Sequence, residues 1–166
     1  MSDPVSPPLA AAVPPLLPPA AQFAAIVAIA RSLVRDPAPG LRLAGRNLAV
    51  LSVADDPDAA AFEAAGTGLG ARVARLHHEP ADNDRPQALR RLGATLGHLY
   101  DAIDCLGLPG PALALLREAA GGIPVFGGIS SPQHVTADLA DQLDPSLPAP
   151  DRRRLVVQAI LLHTLR

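Results

Sequence analysis

The chain is predicted to adopt an α/β fold: a single three-layer domain whose four-stranded parallel sheet carries helices on both faces, with further helices at the N- and C-terminal flanks. Three observations predict it. Four short apolar runs alternate with helical patterns, as strands joined by crossover helices do. The first run, Asn47 to Val53, is apolar without alternation, which suits a strand buried on both faces. The 166 residues, with 49% hydrophobic side chains, are enough for one sizeable core. Aromatics make up only 2%, so that core must be built from Ala, Leu, Val and Ile.

Residues 1–20 hold seven prolines. Proline removes amide donors and fixes φ, so a disordered, polyproline-like arm is expected there, with the folded domain over residues 21–166. Residues 21–35 place Phe23, Ile26, Val27, Ala30, Leu33 and Val34 at helical spacing. Asp36 to Gly40, DPAPG, stops that helix. After the first strand comes an acidic turn, then a helix with Phe62, Ala65 and Leu69 on one face. Gly66, Gly68 and Gly70 weaken its last turns and permit close packing on the sheet. Ala71 to Leu76 reads as the second strand, running into His77, His78 and Glu79.

A polar loop over Glu79 to Asp84 leads to a helix opened by Pro86, with a stripe of Leu89, Leu92, Leu96 and Leu99. Tyr100 to Leu106 reads as the third strand, Pro109 to Ala120 as a helix, and Ile123 to Phe126 as the fourth strand. Ser131, followed by Pro132, is expected to cap a helix reaching about Leu143. A proline-rich link over 144–150 precedes a last helix, residues 151–166, capped by Asp151. That helix is apolar nearly all round, which implies burial against the domain or against another subunit.

Charge and cysteine content exclude several classes. The formal net charge is −2 with no basic block, so nucleic acid is not an expected partner. All 14 basic residues are arginine, which excludes any mechanism that needs a lysine. The single Cys105 excludes an intrachain disulfide and a cysteine-rich zinc site, reads as a small buried hydrophobe, and suits a reducing cytoplasm. The N-terminal stretch lacks the cationic start of a signal peptide. No run reaches the roughly 18 apolar residues of a membrane span, so no membrane partner is expected.

The candidate chemistry gathers at the acidic turn. Asp55, Asp56 and Asp58 follow the first strand, at the end of a sheet where α/β domains place ligands. They read either as ligands of a divalent cation, Asp55 and Asp56 before Asp58 and with His134 nearby, or as a turn in which Asp55 or Asp56 caps the next helix. His77 and His78 read as exposed at a loop start, and His98 and His163 as structural. Ser52, Ser130 and Ser131 lack a nucleophile motif. The glycine-rich GTGLG at 66–70 ends a helix instead of opening one, and no motif calls for a cofactor.

Taken in order, the segments resemble the aspartate and ornithine carbamoyltransferases, specifically their amino-terminal, carbamoyl-phosphate-binding domain. LAGRNLAVL resembles the family's opening strand, and FEAAGTGLGARVARL the helix and strand after its phosphate loop. LGHLYDAIDCLG resembles the stretch reading "LSRYVDAIVIR", GGIPVFGG the "VPVING" strand, and SPQHVTADLADQL the "HPCQALADLLT" helix. DRRRLVVQAILLHTLR resembles the returning C-terminal helix. The resemblance covers 21–143 and 151–166, with nothing corresponding to the family's acceptor-binding second domain.

The departures matter more. Where the family's phosphate loop reads Ser-Thr-Arg-Thr-Arg, this chain has Asp55, Asp56, Pro57, Asp58 and Ala59. Leu106 stands in place of the arginine ending "DAIVIR"; Ser131 and His134 stand where the histidine and glutamine of "HPxQ" belong. No catalytic residue carries over. The expected function is that of a degenerate carbamoyltransferase-like protein without transferase activity. It would act by self-association (a trimer, by the resemblance) or by association with an active carbamoyltransferase. Three alternatives stand beside it. One is a small-ligand or metal-binding protein or enzyme that reuses the pocket between Asp55, Asp56, Asp58, Ser131 and His134. Another is weak residual carbamoyl transfer. The third is a receiver-like signalling domain, since VADDPD and YDAIDCLGLPG are similar to those domains; their acceptor aspartate would fall near Cys105 or Leu106, and their lysine is absent.

Overall fold

The computed structural model describes residues 20–36, 41–53 and 55–165. The proline-rich arm lies outside the described residues except for Ala20, which opens the first helix. In order, the elements are α1 (Ala20–Arg35), β1 (Asn47–Ser52), α2 (Pro57–Gly68), β2 (Arg72–His77), α3 (Pro86–Leu99), β3 (Ala102–Leu106), α4 (Gly110–Ala119), β4 (Val125–Phe126) and α5 (Ala149–Thr164). The sheet is parallel throughout, in the order β2-β1-β3-β4. The α/β fold expected from the alternation of elements is the observed one.

Alternation along the central strands sorts the core into two layers. Leu48 and Val50 of β1, with Ala102 and Leu106 of β3, face Phe62, Ala65 and Leu69 and the apolar sides of α1 and α5. Ala49, Leu51, Ile103 and Cys105 face the other way, onto Leu96 of α3, Leu116 of α4 and Ala120 just after it. The glycines at the end of α2 and just beyond it act as expected: a Cβ on Gly66 would stand 2.7 Å from the Val73 side chain, and Gly70 has φ +83°.

The apolar last helix is buried within its own chain. Val156 through Leu162 of α5 are all buried, packed on α1 and α2. Gln158, the polar member of that run, donates from Nε2 to the carbonyl of Ala65 at 3.1 Å.

Three expectations are corrected. The α-helix expected over Ser131 to Leu143 does not form: turns lead to a short 3₁₀ helix, Ala137–Gln142. Ser131 does not cap a helix there; its hydroxyl donates to Gln133 Oε1 at 2.5 Å, and its carbonyl is taken by Arg153 at 2.7 Å. The last helix starts at Ala149 with Pro148 before it, so Asp151 sits in its first turn instead of capping it. His78, expected to be exposed, is buried, with Nε2 2.7 Å from Asn83 Oδ1.

Candidate functional site

A carboxylate inside the sheet organises the strand ends. Asp104 is the third residue of β3 and fully buried, on the side facing α5. Its Oδ1 accepts from the amides of Gly128 and Ile129 at 2.7 and 3.0 Å. Its Oδ2 accepts from the amide and hydroxyl of Ser130 at 3.3 and 3.0 Å. Burial nevertheless outweighs these four bonds and pushes the Asp104 carboxyl above its ordinary range.

The same loop is held from its other side by α5. Arg153 Nη2 donates to the carbonyls of Ile129 and Ser131. Its Nε and Nη1 are buried with no hydrogen-bond partner. Burial pulls the Arg153 guanidinium's pKa down, opposed by the charges of Asp104 and Asp58. The loop after β4 is thus clamped by its amides to the sheet and by its carbonyls to the last helix.

That clamp shapes a cavity of about 350 Å³ at the carboxyl ends of the strands. Asp56, Asp58, Ser131 and His134 all line it; Asp55 is exposed and does not. Arg117 of α4 also lines it, opposite in charge to the two aspartates. Its Nε donates to the carbonyl of Val125 at 2.8 Å, and burial lowers its pKa.

The amino end of α2 is closed by its own chain. Asp56 is extended, at φ −114° and ψ 125°, and its Oδ1 accepts from the amide of Asp58 at 2.9 Å. Pro57 has no N–H, and the amide of Ala59 donates to the carbonyl of Asp56 at 3.0 Å. Of the two readings of the acidic turn, the capping one is what the geometry displays. Among the described residues no group of three or more His, Cys, Asp or Glu side chains is placed to hold a metal ion.

His134 is a neutral donor. Its Nδ1 accepts from the hydroxyl of Thr136 at 2.9 Å and from that residue's amide at 3.3 Å, which leaves the ring proton on Nε2. Burial, then the charges of Arg153 and Arg117, push its pKa below the ordinary 6.5. Ser131 is bonded to Gln133 and not to this ring, so no nucleophile–base pair forms. Cys105 is buried, and burial pushes its thiol pKa up, which makes it inert.

Sequence reading missed Asp104, Arg117 and Arg153. Asp104 carried a signal: one carboxylate in an otherwise apolar strand, AIDCL, needs several buried partners. Arg117 and Arg153 carried none, being ordinary helix arginines until the chain folds.

The comparisons agree with this architecture. No protein-family model matches the chain. An ornithine carbamoyltransferase of Actinobacillus pleuropneumoniae (serotype 5b, strain L20) is 32% identical over 103 residues, which is 61% of this chain and 30% of that protein. Solved ornithine carbamoyltransferases share the fold. The enzyme from Thermus thermophilus superposes with a TM-score of 0.58 at 21% identity, covering 74% of this chain and 42% of its own. That from Campylobacter jejuni reaches 0.60 at 20% identity, covering 74% and 40%. No helix among the described residues is long and apolar enough to cross a membrane. The chain thus spans about 30% of the length of that curated relative, and in sequence and in fold alike it is carbamoyltransferase-like.

Proposed function

We propose that this carbamoyltransferase-like chain does not grip carbamoyl phosphate and transfers no carbamoyl group. It acts instead by associating with copies of itself or with an active carbamoyltransferase. One observation supports the first half: the Asp56 carboxylate occupies the helix end at which the resemblance places the phosphate. The first three positions of α2 offer an incoming dianion no free amide, since Pro57 has none and those of Asp58 and Ala59 are bonded to Asp56, while Asp56 and Asp58 present carboxylates. One like-charge contact at ~4 Å costs about 4 kcal/mol at an effective dielectric of 20. That equals the whole binding free energy of a millimolar ligand, about 4 kcal/mol, before Asp58 is counted. Among the described residues, Arg117 is the one arginine lining the cavity; Arg153, which feels the charge of Asp58, gives its Nη2 to the carbonyls of Ile129 and Ser131.

The association half is supported by the resemblance, since the family's catalytic subunits assemble through this domain. Calorimetry with millimolar carbamoyl phosphate is expected to show no saturable heat, and ornithine or aspartate no carbamoylation above background. Citrulline formation that disappears on unfolding sinks the first half. Sedimentation velocity, alone and mixed with an ornithine carbamoyltransferase, tests the second: a strict monomer that ignores the enzyme at micromolar concentration ends it.

A further inference from the structure

Beside β4, the edge strand of the sheet, α1 and α5 enclose a second cavity of about 380 Å³. Its wall is largely apolar, with Ile26, Phe126, Ile129 and Ile160 contributing. Arg117, Gly127 and His134 line this cavity and the strand-end cavity alike, so they form the partition between the two. The half-buried Arg117 is anchored through Nε to the carbonyl of Val125, and no carboxylate among the described residues pairs with it.

The two sides of the partition differ in charge. Asp56 and Asp58 face the strand-end cavity, whereas no Asp or Glu lines the cavity beside β4. A half-buried cation lacking a counter-ion is held at a cost, which an anion arriving from the apolar side offsets. The volume lies in the range of small-molecule sites, roughly 300–1,000 Å³, and an apolar wall with one placed charge is how such sites are built.

We propose that the cavity beside β4 binds a small organic monoanion: a carboxylate held by the Arg117 guanidinium, on a compact aliphatic or aromatic body packed against Ile26, Phe126 and Ile160. A second negative charge, as on a phosphate ester, finds no second arginine on this wall. The inference stands apart from carbamoyl transfer, because the cavity it uses is lined by neither Asp56 nor Asp58.

The test is titration calorimetry with isovalerate and benzoate against isovaleramide and benzamide, which keep the shape and lose the charge. Both acids are expected to bind saturably, each about tenfold or more tighter than its amide, and to weaken as salt is raised. Arg117→Gln keeps a donor for the Val125 carbonyl and is expected to abolish the difference between acid and amide while melting stays cooperative. Equal binding of acid and amide, or no saturable binding of either acid at millimolar concentration, overturns the proposal. Should Arg117→Gln fail to fold, the acid-to-amide ratio of the unaltered protein decides alone.

Discussion

Asp104 accepts three amides and a hydroxyl from one loop, so its removal strands four donors in a dry interior. Each unsatisfied buried donor costs ~1–3 kcal/mol, and Asp104→Ala is expected to destabilise by at least about 3 kcal/mol in urea titration. Asp104→Asn keeps the shape and two acceptor contacts, and burial already disfavours the charged form; its cost should be roughly half that of alanine. An Asn variant as damaging as Ala would contradict this ordering. His134 gives the fold a pH response of definite sign. Its folded pKa lies below 6.5, so on acidification the unfolded chain binds the proton first. The contribution is therefore fully present above 6.5 and is lost as pH falls through that value towards the lower folded one. Urea midpoints on either side of pH 6.5 should show this slope, and His134→Gln should flatten it. Asp104 left a trace in the sequence, a carboxylate amid the apolar AIDCL, which the sequence reading missed; the isolation of Arg117 left none, because the lack of a counter-ion is a fact about folded neighbours.

Secondary-structure elements were legible where local chemistry decides them and illegible where distant groups do. The stripe of Leu89, Leu92, Leu96 and Leu99, with Pro86 at its start, announced α3, and that helix forms where expected, although Leu99 at its end is exposed. The stretch after β4 was misread because its conformation is imposed by Asp104 of β3 and Arg153 of α5, both more than twenty residues away. Strand β4, at one edge of the sheet, is two residues long, Val125–Phe126, where Ile123 to Phe126 was expected. Between α3 and α4 two glycines set the spacing. A Cβ on Gly97 would lie 2.3 Å from the carbonyl oxygen of Ala120, and one on Gly93 2.6 Å from that of Leu116. Alanine gains about 1 kcal/mol in helix propensity over glycine, but overpacking against backbone costs about 1–3 kcal/mol. Gly97→Ala is therefore expected to lower the urea midpoint; a raised midpoint would show that the two helices slide apart freely.

At the scale of the whole molecule, the fold class followed from the order of apolar runs, whereas the use of the last helix did not. An all-apolar helix is equally at home in its own core or in a neighbour's, and only the structure shows α5 filling the space between α1 and α2. Six of its seven buried residues are apolar. At roughly 1.5–3 kcal/mol for each of the larger ones, their burial rivals the total stability of a domain, about 5–15 kcal/mol. Deleting residues 149–166 is expected to abolish cooperative melting, as read by near-ultraviolet dichroism and calorimetry; a truncated chain that still melts sharply would show that the sheet and α1–α4 suffice.

Because α1, at the start of the described chain, packs on α5, at its end, synthesis leaves a greasy flank of the sheet uncovered until residues 149–164 have cleared the ribosome. Over that interval the nascent protein is expected to present apolar surface that the finished fold hides.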